Sequence, residues 1–136
     1  MPDLHPLLVH FPVALLTFGA CADLAAAVRK NPVATVVGWW AQLAGTAGIL
    51  VSAATGLLAK GRIGEPAVLD LLATHEQLAF LAAAAFAGLF FWRVGSRGRP
   101  VSRLYLVCLV AAVALVWGTA WFGGELVYRH GIGVAR

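Results

Sequence analysis

The sequence predicts an all-α protein, a polytopic bundle of four transmembrane helices, and three observations predict it. Of the 136 residues, 61% are hydrophobic and only 12% charged, against roughly 25% charged in an ordinary soluble domain. The apolar residues fall into four runs, each near the ~20 residues needed to cross ~30 Å of hydrocarbon. The charged residues collect between those runs, where membrane topology is written. A soluble fold of this size would expose large apolar patches, whereas in lipid a helix satisfies its own backbone. The length suits a single domain over residues 1–136.

The first span is expected over about 7–28 and stops at Arg29-Lys30-Asn31-Pro32. Proline is tolerated in the first turn of a helix, where its missing N–H costs nothing, so Pro32 opens a second span over about 33–59 that holds no charged residue. Lys60-Gly61-Arg62-Ile63-Gly64 reads as a turn, and Pro66 begins a third span over about 66–92 with Asp70, His75 and Glu76 in its first part. The fourth runs over about 103–122; Gly123-Gly124 marks its end or a bend, and 123–136 forms an outer segment. A secretory signal begins with positive charge. This chain has Asp3 and no Lys or Arg before Arg29, so the first span is expected to be retained.

Orientation follows the Lys/Arg bias. Arg29, Lys30, Arg93, Arg97, Arg99 and Arg103 lie on one side, and Lys60, Arg62, Arg129 and Arg136 on the other. The richer side is expected to be cytoplasmic, with both termini outside a bacterial inner membrane. Trp39, Trp40, Trp92 and Tyr105 near one set of span ends, and Trp117, Trp121 and Tyr128 near the other, read as aromatic belts. Cys21 and Cys108 read as small buried hydrophobes. The second span carries Ala44, Gly48, Ser52 and Gly56 at a spacing of four, a row that admits a close helix neighbour, a second copy of the chain included, or a flat cofactor. Asp23 is expected to pair with Arg29 or Lys30, and Gln42, Thr46 and Thr55 to bond between helices.

All four histidines fall on the outer side. An ionisable side chain in or beside hydrocarbon is a functional-site hypothesis by default. His10 is nineteen residues above Arg29 and His75 eighteen above Arg93, which places both about 27–29 Å from that boundary. Matched depth on two helices suits a shared ligand. Three chemistries fit. In the first, His10 and His75 are axial ligands of a non-covalent haem b, with His5 and His130 bonding its propionates or replacing one axial ligand. In the second, three or four of the histidines hold copper or zinc, with Glu76 or Glu125 assisting. In the third, histidines and acids relay protons or gate a solute. Glu76 and Gln77 are candidates to orient the His75 ring. The bland alternative is an interfacial histidine satisfied by water and carbonyls. His5 and His10 lie on different faces of an ideal helix, and Pro6 and Pro12 distort that segment.

Several classes are excluded. The +4 net charge forms no stripe suited to nucleic acid, no C-x-x-C-H offers covalent haem attachment, and no nucleophile–base–acid set supports a hydrolase. Copper(I) conduits want sulfur ligands, and the chain has one methionine and two distant cysteines. A non-catalytic accessory subunit, held by the small-residue row, remains a further alternative to an electron carrier.

The segments His5-Pro6-Leu7-Leu8-Val9-His10-Phe11-Pro12 and Gly123-Gly124-Glu125-Leu126-Val127-Tyr128-Arg129-His130-Gly131-Ile132-Gly133-Val134 resemble the two end motifs of the bacterial membrane proteins called domain of unknown function 2231. The resemblance spans nearly the whole chain, with His75 at the place of that family's mid-chain histidine. It brings no established activity. Relatives joined to Rieske or cytochrome-c-type domains imply membrane electron transfer, with a quinone or a separate redox protein as partner for a chain that has no such extra domain.

Overall fold

The structure is a computed structural model and describes residues 4–61, 66–96 and 99–133. Helix α1 (His5–Leu8) leads into α2 (His10–Arg29), followed by α3 (Pro32–Lys60), α4 (Leu69–Gly95) and α5 (Arg103–Tyr128). Four helices are long and apolar enough to cross a membrane, α1 and α2 together counting as one. Large apolar side chains such as Phe11, Phe18, Leu58, Phe91 and Val107 point outward, as lipid requires.

Capping sets the boundaries. Lys30 takes the left-handed conformation (φ 50°) and stops α2. Asn31 then caps α3, its Oδ1 accepting from the Val33 N–H at 2.9 Å and the Ala34 N–H at 3.4 Å, which satisfies donors that a helix start leaves unpaired. Ser102 does the same for α5, accepting from the Tyr105 N–H at 3.1 Å. The Gly123-Gly124 pair does not end α5; the helix runs on to Tyr128. It stops where Gly131 adopts φ 65° and the N–H groups of Gly131 and Ile132 bond Val127 and Leu126 carbonyls, each at 3.0 Å. That is a glycine-terminated Schellman stop.

Buried positions repeat every three and four residues on all four spans. They include Pro12, Leu16, Gly19, Asp23 and Ala26 on α2, Gly38, Gly45 and Ser52 on α3, Ala82, Phe86, Leu89 and Arg93 on α4, and Tyr105, Leu109, Ala112 and Val116 on α5. A 3.5-residue repeat is the seam of left-handed helix packing. The apolar core joins α2, α4 and α5 around Leu16, Phe86 and Leu109.

Helix α3 packs chiefly on α2, through glycines. A Cβ at Gly45 would sit 2.6 Å from Leu16 Cδ2, and one at Gly48 would sit 3.3 Å from Pro12 Cβ. The expected row at spacing four is thus redrawn. Gly48, Ser52 and Gly56 face inward, but Ala44 is exposed and Gly38 and Gly45 belong instead. Gly45→Val is expected to lower unfolding free energy by about 1–3 kcal/mol through overpacking, measured by denaturation in detergent; unchanged stability would show that α2 and α3 are not packed this closely.

Candidate functional site

The His5 end of the bundle holds two imidazoles against each other. Pro12 lacks an N–H, so the Leu8 carbonyl loses its partner one turn on, and the helix is interrupted at Val9 between α1 and α2. The short α1 packs against α3. His5 reaches Gly56, where a Cβ would lie 3.0 Å from its Cε1. His75 on α4 lies against Gly123 of α5 in the same way, 3.0 Å from the place of a Cβ. Two glycines therefore make the seats of two histidines. The ring centroids are 6.3 Å apart with planes at 79°.

The hydrogen bonds fix each ring's tautomer. Nδ1 of His75 lies 3.0 Å from the Thr119 carbonyl; a carbonyl only accepts, so Nδ1 carries the proton. Nδ1 of His5 lies 3.2 Å from Thr55 Oγ1, whose own proton goes to the Ser52 carbonyl at 2.9 Å. His5 Nδ1 is therefore a donor too. In the neutral form of a ring whose Nδ1 carries the hydrogen, the lone pair resides on Nε2. An imidazole anchored through one nitrogen and presenting the other is the usual state of a metal-bound histidine.

Level with His75 along the sequence, His10 nonetheless turns outward and is exposed; the neighbour of His75 is His5. The His75 ring bonds the Thr119 carbonyl, Glu76 pairs with Lys60 at 2.5 Å, and Gln77 is exposed. Glu125 pairs with Arg129 at 3.1 Å. His130 is half-buried past the end of α5. Among the described residues, no three His, Cys, Asp or Glu side chains gather as metal ligands.

A second polar cluster, unforeseen from sequence, lies at the opposite end. Arg93 is 8% exposed. Its Nη1 donates to Asp23 Oδ2 and to Gln42 Oε1 at 3.1 Å, and its Nη2 to the Thr35 carbonyl at 3.1 Å. The Tyr105 hydroxyl donates to Gln42 Oε1 at 2.7 Å, and the guanidinium carbon lies 5.8 Å from the Trp39 ring centroid. All four spans meet in this network. Asp23 thus pairs with Arg93 rather than Arg29 or Lys30, and Tyr105 is buried rather than part of a headgroup belt. Gln42 and Thr55 do bond between helices. Cys21 is exposed and Cys108 half-buried, so only the latter approaches the expected burial. The signal available in sequence was depth: Asp23, Arg93 and Tyr105 fall near the basic ends of their spans, with Gln42 deeper in its own.

No curated protein and no solved structure matches the chain. The family model described as predicted membrane protein (DUF2231) matches residues 2–136, the motif segments at both ends included, and the chain belongs to that family.

Proposed function

We propose that the protein binds haem b between His5 and His75 and carries electrons near the outer face of a bacterial inner membrane. The observation that carries this reading is the anchored imidazole pair. The two ring centroids stand 6.3 Å apart, so that one iron between them would be within reach of a nitrogen of each ring. Their tautomers offer Nε2, and the Gly56 and Gly123 seats leave each ring room that a methyl group would take. Haem iron needs only two protein ligands, because the porphyrin supplies the rest. When bound there, the iron would supply one-electron redox chemistry.

The chain's own residues have distinct parts. Thr55 and the Thr119 carbonyl hold the rings in register and raise their basicity as ligands. Lys60, paired with Glu76, lies at the surface near His75, where it suits a propionate. His130, at the same end, is a second propionate candidate. A quinone or a separate redox protein is the partner, and the Lys/Arg bias supports termini facing outward. Copper or zinc on the same two nitrogens is the competing reading, and a set of two donors is short for either metal.

An absorption spectrum of the protein purified in detergent, after expression with ample haem, tests the proposal. A Soret band with the α and β bands of a low-spin ferrous state is expected. A colourless protein, or one with stoichiometric copper or zinc and no porphyrin, would reject it.

A further inference from the structure

The ion pairs among the described residues sort by end of the bundle. Lys60 has Glu76 and Arg129 has Glu125 at the histidine end. At the opposite end Arg93 has Asp23, which is buried. That aspartate is the one acid the sequence places there; Asp3, Glu65, Asp70, Glu76 and Glu125 all belong to the histidine end. Arg29, Lys30, Arg99 and Arg103 are exposed. Four cations therefore stand at the Arg93 end with no carboxylate of that end left to neutralise them.

Their level follows from their neighbours. Arg29 lies about 9 Å of helix rise beyond Asp23, and Arg103 about 3 Å beyond Tyr105, so both stand just outside the Arg93 network. Lys30 and Arg99 flank them in the connections between helices. Directly beneath this charged tier the surface is apolar and faces outward, with Val28, Val33, Phe91 and Leu104 all exposed. Trp40 and Trp92, also exposed, stand at the same end. A soluble anion would meet the charged tier alone. An amphiphile with a phosphate above and acyl chains below meets both layers at once.

We propose that the Arg93 end of the bundle selects anionic phospholipid from the bilayer. The phosphodiester of a lipid such as phosphatidylglycerol is held by Arg29, Lys30, Arg99 and Arg103, and its acyl chains lie on Val28, Val33 and Leu104. A zwitterionic headgroup brings a phosphate too, but with it an ammonium that the same cations repel. Attraction of one basic residue to an anionic lipid surface corresponds to about a fivefold gain in binding. At the histidine end Lys60 and Arg129 already face carboxylates, so no such selection is expected there. The inference rests on other residues than the haem reading and holds whichever side of the membrane this end faces.

The experiment places the full chain in phosphatidylcholine vesicles and compares the quenching of tryptophan by phosphatidylglycerol and by phosphatidylcholine, each dibrominated on its acyl chains. Two variants report the two ends separately. Trp117→Phe, Trp121→Phe leaves Trp39, Trp40 and Trp92, and Trp39→Phe, Trp40→Phe, Trp92→Phe leaves Trp117 and Trp121. Phosphatidylglycerol is expected to be favoured about fivefold or more by the first variant and about equally with phosphatidylcholine by the second. Raising salt from about 0.01 M to about 1 M shortens the screening length from about 30 Å to about 3 Å and is expected to bring the first ratio close to one. The same loss is expected in that background from Arg29→Gln, Lys30→Asn, Arg99→Gln, Arg103→Gln; asparagine suits position 30, where φ is 50°. Should this variant not fold, the salt series and the comparison of the two ends decide. Inorganic phosphate is expected not to compete, and competition would overturn the choice of a lipid over a free anion. Equal ratios at the two ends would overturn the proposal in favour of an acidic protein as the partner of the charged tier, and a preference that survives about 1 M salt would overturn its electrostatic basis. Each of these results leaves the spectral test of haem binding unaffected.

Discussion

Replacing Arg93 by alanine is expected to cost about 3–5 kcal/mol of stability, the range found when one partner of a buried ion pair is removed. The loss exceeds that of a surface pair, worth about 0–1 kcal/mol, because the carboxylate of Asp23 stays behind with no compensating charge. Gln42 and the Thr35 carbonyl lose their donor as well. Denaturant titration in detergent, followed by circular dichroism and by tryptophan fluorescence, measures the change. A shift below about 1 kcal/mol would mean that the pair is solvated in the manner of surface ions. The double variant Asp23→Asn, Arg93→Met is expected to recover most of the loss, since neutralising both partners is far milder than orphaning one.

The second large effect concerns the histidines. His5→Ala and His75→Ala are each expected to abolish the Soret absorption of the purified protein, because each removes one of the two imidazoles proposed to hold the haem. His10→Ala is expected to leave the spectrum as it was, since His10 faces outward. Thr55→Val removes the acceptor that holds His5 Nδ1 and is expected to weaken haem retention by about 10–100-fold, the usual price of losing such a support. The opposite pattern, with His10 essential and His5 dispensable, would refute the assignment of His5 as a ligand.

The spans were legible because hydrophobic length in a bilayer is close to a one-variable problem. Rotation was not. On a surface apolar all round, hydrophobicity does not distinguish inside from outside. Five residues separate His5 from His10, about 140° on an ideal helix, so the sequence could say that the two face apart but not which one turns inward. Gly56 and Pro12 decide it: one seats the His5 ring, and the other interrupts the helix below it. Depth matching paired His75 with His10, whereas the ring that lies against His75 is that of His5, five positions earlier.

The small-residue row shows the same limit. Read at a spacing of four, it included Ala44; the supercoiled seam runs at 3.5, which replaces Ala44 by Gly45 and extends to Gly38. Arg93 was misread for a different reason. Counted as a loop charge, it contributed to the topology bias, yet it is a buried internal cation. Without it the bias is Arg29, Lys30, Arg97, Arg99 and Arg103 against Lys60, Arg62, Arg129 and Arg136, five to four. A basic residue at a span end is a topology signal only where no acid lies level with it on another span.

The chain order of the Asp23–Arg93 contact also bears on biogenesis. Lys30 and Asn31 alone separate α2 from α3, and the two fit together along their glycines, so this hairpin is the expected first unit of assembly. The aspartate travels with that hairpin. Its arginine lies 70 residues further along the chain, so the charge of Asp23 is compensated only once α4 has joined that hairpin.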